Sequence, residues 1–322
     1  MTHINDHRRQ LLKGLLALLV LVPQRIPLLA APLPNAKTAP VGNFRYIYQN
    51  PSLKKAFLEF YTNVFHLYPE HEFHRLVEEL TQRHESDRDI YQSLQQSLND
   101  ISPFLVDLRF AVPALRKQKA EMTRQTLYLV DSTRTWDGYL EVGSTGRYIS
   151  QLQEKLQIHG EKFLLHTVEP GYSPEDILER GQLNKLGKFV DMGNYTAQFT
   201  NTIPANSLDL VTVYIGFHHC PVDQREAFIG GLRDLIRPGG KLVLRDHDAH
   251  NEDLRRVAAL AHDTFNAGTR QPWKANEVEL RNFYSLDYII HFLEKLGLRY
   301  DGRVFFQAGD PTRNGLMSFT RV

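Results

Sequence analysis

Cysteine is almost absent: Cys220 is the only one in 322 residues, which excludes an internal disulfide and any zinc site built from several thiolates. An excess of either charge sign is missing as well. With 38 Lys and Arg against 37 Asp and Glu, and no basic stripe along the chain, nothing is available to hold a nucleic acid by bulk electrostatics. No internal repeat is evident. Apolar runs are short, and the longest, Leu15 to Val22, is stopped by Pro23, Gln24 and Arg25 before it could comfortably cross a bilayer. What remains is an ordinary globular composition, 42% hydrophobic, long enough for one large or two modest domains. A near-neutral chain without disulfides fits an enzyme of small molecules.

The richest local signal is Gly138-Tyr139-Leu140-Glu141-Val142-Gly143-Ser144-Thr145-Gly146-Arg147-Tyr148. It reads as a buried strand ending near an acid, a glycine turn and the opening of a helix whose face carries Ile149, Leu152 and Leu156. Glycines tolerate positive φ and let a ligand approach the backbone, and a helix start offers unpaired N–H groups. Further on, Ser207-Leu208-Asp209-Leu210-Val211-Thr212-Val213-Tyr214-Ile215 reads as a second buried strand that closes on Gly216-Phe217-His218-His219-Cys220. A helix bearing Phe228, Leu232 and Leu235 then runs into Arg237-Pro238-Gly239-Gly240-Lys241-Leu242-Val243-Leu244-Arg245-Asp246.

In order and spacing these pieces resemble the class I S-adenosylmethionine-dependent methyltransferases, over about residues 126–322. That family has an acidic-x-Gly turn after its first strand, a Leu/Phe-Asp-Leu-Val fourth strand and a Pro-Gly-Gly turn before its fifth. The resemblance implies a Rossmann-like, doubly wound α/β sheet of seven strands, with S-adenosyl-L-methionine as cofactor. It implies a cofactor turn at Glu141, Gly143, Ser144 and Gly146, with Thr145 standing where the family has a second glycine. Glu169, after the second strand, corresponds to the acid that accepts from both ribose hydroxyls, a task suited to two acceptor oxygens. Asp191 and Met192, after the third strand, correspond to the pair at the adenine edge. Strands are expected at about 137–142, 163–168, 187–191, 208–215, 240–246, 299–307 and 314–321. Ligands of such sheets bind beyond the carboxyl ends of the strands, where strand order reverses.

Histidines crowd that same rim. His218 and His219 follow strand four beside Cys220, and Asp246, His247, Asp248 and His250 follow strand five. Adjacent strand ends can bring His218 or His219 near His247, giving a general base working near neutral pH or part of a metal site of imidazoles and carboxylates. We expect His218, His219 and His247 to be the catalytic candidates. His71-Glu72-Phe73-His74 falls one residue short of the zinc-protease spacing and reads as a helix start. Residues 251–285 are long for a connection, and Trp273, Asn276, Glu277, Arg281, Phe283 and Tyr284 give it aromatic and charged character; its stretch Asn276 to Phe283 resembles the insert from which small-molecule methyltransferases form a lid and choose their substrate.

The first residues read separately. Arg8-Arg9-Gln10-Leu11-Leu12-Lys13 before the short apolar run resembles a twin-arginine export signal, with His7 and Leu11 departing from the usual residues. The expected division is therefore a signal or membrane anchor at 1–31, a Pro-rich linker at 32–44, an accessory helical domain at 45–125 that covers one side of the pocket, and the sheet domain at 126–322. Ser52 is expected to cap a helix carrying Leu53, Phe57, Phe60 and Val64; stripes at Phe73, Leu76, Val77 and Leu80 and at Ile90, Leu94 and Leu98 mark others, and a further helix follows Pro113. The function implied is methyl transfer to a small or lipid-like acceptor, by a protein attached to or exported across a membrane, with a cytoplasmic location as the alternative. Two alternatives stand beside it: a binding module on the same fold without turnover, and a metal-dependent enzyme using the His218, His219 and His247 rim.

Overall fold

Six buried residues in a row, Leu208 to Val213, form a strand that cannot lie at an edge, since both of its faces are covered. In the computed structural model, which describes residues 41–102, 110, 112–173, 176–177, 180–214 and 216–322, this strand, β4 (Leu208–Val213), lies at the centre of a seven-stranded sheet. The others are β1 (Thr135–Val142), β2 (Gln157–His166), β3 (Lys188–Asp191), β5 (Ile236–His247), β6 (Leu298–Phe306) and β7 (Asn314–Arg321), in the order β3-β2-β1-β4-β5-β7-β6. All neighbouring pairs are parallel except those of β7, which runs antiparallel between β5 and β6. The expected Rossmann-like sheet is the one found. Strand order reverses at β1 and β4, so the carboxyl ends there are the natural place for a ligand.

Two strands extend further than the apolar pattern indicates. β5 begins at Ile236 because the Arg237-Pro238-Gly239-Gly240 stretch is a bulge within it: Leu208 pairs with Ile236, and Leu210 next with Lys241. β2 begins at Gln157 and pairs its first residues with β1 ahead of another shift at Asp137 and Tyr139.

The helices form two groups. α1 (Asn43–Tyr48), α2 (Pro51–Phe60), a π-helical turn at Tyr61–Phe65, α3 (Glu70–Arg83) and α4 (Asp87–Ser97) share one aromatic-rich core. Chain entry is tied down by the amides of Asn43 and Phe44, which donate to the Asp87 carboxylate at 2.7 and 3.2 Å. The cap of α2 is Asn50, whose Oδ1 accepts from the amides of Ser52 and Leu53, and not Ser52 itself. The reason is Pro51: a proline fits best at the first helical position, which moves the cap one residue ahead of it. Around the sheet lie α5 (Val112–Leu129), the short α6 (Ile149–Leu152), α7 (Arg225–Leu235) and, after β5, α8 (Glu252–Gly268), α9 (Trp273–Val278) and α10 (Leu286–Lys295). α8 belongs structurally to the first group, since Val257, Leu260, Ala261 and Ala267 pack in the core of α1–α4. The long connection after β5 thus opens with a long helix that has its own core contacts, ahead of the Asn276 to Phe283 stretch. Among the described residues no helix is long and apolar enough to cross a membrane; residues 1–40, and with them the expected signal and most of the linker, lie outside the described part.

Candidate functional site

Beyond Val142 the chain turns through Gly143 and Gly146, at φ 76° and 91°, values that favour glycine. The turn is held from inside by Glu141. One carboxylate oxygen accepts from the Ser144 hydroxyl and from the Tyr148 amide at 3.1 Å; the other accepts from the Ile149 amide at 2.8 Å and the Tyr139 hydroxyl at 3.2 Å. An acid at this position answers the unpaired N–H groups at the start of α6. Ser144, Thr145, Arg147 and Tyr148 are buried, and the Gly146 carbonyl accepts from Gln182 Nε2 at 3.1 Å. The Thr145 hydroxyl, at the position of the missing glycine, is buried with no hydrogen-bond partner among the described residues.

On the neighbouring strands, Val142 pairs with Leu165 and His166 with Asp191, so the ends of β1, β2 and β3 share one edge. Glu169 lies three residues past β2 and is exposed. Asp191 is exposed and accepts from the Gly193 amide at 2.9 Å, while Met192 is buried in the core cluster of the sheet.

The histidines converge. After β4, Gly216 leads into a short 3-10 turn, Phe217–His219, and a Cβ at Gly216 would collide with the His218 ring, so glycine is required there. Asp246 at the end of β5 organises the site: it accepts from the His218 amide at 2.9 Å, from His218 Nδ1 at 2.7 Å and from the His247 amide at 2.7 Å. His219 Nδ1 faces the Leu280 carbonyl at 2.9 Å, and His247 Nδ1 the Thr312 carbonyl at 2.9 Å. The His218 ring centre lies 4.1 Å from that of His219, 5.2 Å from that of His247 and 5.0 Å from that of His262.

His262, on α8, is the residue that sequence reasoning missed. Its one signal is a His-Asp pair on a helix face otherwise made of Val257, Ala258, Leu260 and Ala261. Its Nδ1 lies 3.4 Å from Glu279 Oε1, which is also 3.6 Å from His219 Nδ1. The other oxygen of Glu279 accepts from Arg281 and Asn266, and Arg281 pairs at 2.7 Å with the buried Asp263. Asn276 donates to Asp263 at 2.8 Å, so the side chains of Asn276, Glu279 and Arg281 form a buried polar support behind the histidines, while Glu277, Val278 and Leu280 between them are exposed.

Burial, joined by the neighbouring rings His219 and His262, holds His218 well below the usual imidazole range. Burial likewise takes His219 down to about 4, against the pull of Glu279, and His247 well below normal, helped by His218 and His262. All three are therefore neutral at physiological pH. Burial raises Asp246. It also acts to raise Glu279, but His262, Arg281 and His219 together hold this carboxyl below the usual range. The Cys220 thiol is pushed up to about 12 by burial, which removes it as a nucleophile.

No protein-family model matches this chain, and no curated protein sequence matches it. Solved structures align at low identity. The 1,6-didemethyltoxoflavin-N1-methyltransferase of Burkholderia thailandensis, crystallised with 1,6-didemethyltoxoflavin and S-adenosylhomocysteine, is 13% identical over 72% of this chain and 87% of its own, with a TM-score of 0.43. The N-methyltransferase NodS of Bradyrhizobium japonicum is 17% identical over 63% and 96%, at 0.40. The pyocyanin biosynthetic protein PhzM is 11% identical over 85% and 74%, at 0.48. At such identity and superposition, function has to be argued from the residues of the site.

A cavity of about 210 Å³ joins these parts. Phe60, Val64, Phe65, Leu115 and Phe265 from the helices form an apolar wall; His218, His219 and His247 from the strand ends and His262 from α8 line the cavity with it, and Arg147 brings the glycine turn to its border. Glu169, Asp191 and Met192 are not among the cavity residues. The arrangement can enclose a small, largely apolar molecule and present neutral imidazole nitrogens to its polar end.

Proposed function

We propose that this protein transfers a methyl group from S-adenosyl-L-methionine to a small or lipid-like acceptor held in the cavity. The observation that carries the reading is the adjacency of the glycine turn of β1 and the histidine-lined ends of β4 and β5 on one cavity, at the reversal point of the sheet. The residues fit the cofactor. The exposed carboxylates of Glu169 and Asp191 offer acceptors at the next two strand ends, and Thr145 keeps a buried hydroxyl without a partner among the described residues at the turn. Bound there, the cofactor supplies an electrophilic methyl group on a sulfonium.

The chain does the rest by placement. The Phe60, Phe65 and Leu115 wall excludes water and aligns the acceptor, which is most of what such a transfer requires. Of His218, His219 and His247, we assign His247 as the base that receives a proton when the acceptor must lose one, because Thr312 fixes its Nδ1 as donor and leaves Nε2 to accept. A second reading, binding without turnover, is favoured by the buried state of residues 144–148 and by the use of all of Glu141 within the turn.

Titration of the cofactor and of its demethylated product, followed by calorimetry and melting temperature, tests the assignment. At about a hundredfold excess over Kd the folded state should gain about 2.7 kcal/mol, and Glu169→Ala should weaken binding about tenfold or more through loss of charged hydrogen bonds. No response at millimolar cofactor in folded protein rejects the site. Binding without methyl release to hydroxylated and amine acceptors would favour the second reading.

A further inference from the structure

We propose that His218, His219 and His262 form a binding site for one divalent first-row transition-metal ion, open on the cavity side. This goes beyond methyl transfer and does not depend on it. One ring nitrogen from each of the three lies within 4.8 Å of the other two. His218 Nδ1 has Asp246 as acceptor at 2.7 Å and His219 Nδ1 has the Leu280 carbonyl at 2.9 Å, while His262 Nδ1 lies 3.4 Å from Glu279 Oε1, a buried oxygen without a hydrogen-bond partner among the described residues. For His218 and His219 the acceptor fixes the proton on Nδ1 and leaves Nε2 to bind an ion, which is how proteins orient metal-binding imidazoles.

His218 Nε2 is buried and has no hydrogen-bond partner among the described residues. A packed histidine ordinarily satisfies both nitrogens, so an orphaned acceptor nitrogen beside two further imidazoles suits a cation. Asp246 and Glu279 sit directly behind the rings, and their negative charge offsets that of a dication. An all-imidazole set suits zinc, copper, iron or nickel, and three protein ligands leave a coordination position free for an acceptor oxygen or nitrogen in the cavity. His247, whose ring centre is 5.6 Å from that of His262, lies beside the triad and outside the set of three.

Full-length protein, stripped with chelator and titrated with Zn(II) and separately with Co(II) in the absence of any methyl donor, tests the proposal. We expect about one equivalent bound and, with Co(II), visible ligand-field absorption of a nitrogen-ligated ion. His218→Ala and His262→Ala should each weaken binding by about a hundredfold, and Asp246→Asn by about tenfold. His247→Ala and the surface control His71→Ala should keep the full equivalent. Circular dichroism establishes that each variant is folded; a variant that is not is replaced by the corresponding Asn or Gln. Less than about a tenth of an equivalent on folded wild-type protein, or undiminished binding in both His218 and His262 variants, overturns the site. Because no cofactor is present, failure here leaves the methyl-transfer reading untouched, and failure of cofactor binding leaves this one untouched.

Discussion

Glu141 shows how much one side chain can set. Its carboxylate takes two hydroxyls and two backbone amides, all buried, and so determines where the glycine turn ends and α6 begins. Glu141→Ala would leave those donors without an acceptor, at about 1–3 kcal/mol for each buried unsatisfied group before relaxation. We expect a loss of at least about 3 kcal/mol in a urea titration; a midpoint unchanged from wild type would mean that the turn is held by its glycines alone. The sequence placed Glu141 at the right point in the fold, but its use inside the turn follows from a contact eight residues along the chain that a motif does not encode. His262 is the opposite case. No motif surrounds it, because it reaches the site by the angle at which α8 crosses the strand ends, a consequence of packing in a core built from residues 44–98.

Among the elements, α5 carries an unusual buried cation. Lys119 on this helix donates to the Arg180 carbonyl at 3.0 Å, and burial, acting above all else, takes its ammonium down to about 8. The sign follows directly: the unfolded chain keeps this proton up to about pH 10.4, so below pH 8 both states are charged and the folded state bears the full penalty. Between these limits stability should rise with pH, by at most about 1.4 kcal/mol per unit for one proton. Denaturant titrations from pH 7 to 10.5 should show the rise in wild type and its absence in Lys119→Met; parallel curves would place the ammonium in water. Strands were the more legible elements, since runs such as Leu208–Val213 and Leu242–Leu244 are mostly apolar, rich in Leu and Val, and bounded by turns. α8 was less so, because its buried face relies on alanine and on Asp263 and Asn266, which find their common partner Asn276 only in three dimensions.

For the molecule as a whole, Phe60, Phe65 and Ala261 of the helical core and Tyr214 of a core on the sheet meet at the cavity. We expect removal of residues 1–31 to leave melting temperature and ligand binding unchanged. For the first residues themselves we propose an address, carried by Arg8 and Arg9: replacing both by lysine keeps the charge and should stop twin-arginine export, which fractionation of expressing cells would reveal. Unchanged distribution rejects the export route. The sequence by itself determined the sheet, because alternation of apolar strands and helical stripes is a local property of the chain and leaves few topologies that bury every face. It determined the glycine turn and the presence of His218, His219 and His247 at strand ends for the same reason. Only the tertiary structure decided that His262 and Glu279 join them, that the turn is closed over and that residues 251–268 complete the helical core, since each depends on contacts between segments far apart in sequence, whose geometry is set by packing and not by pattern.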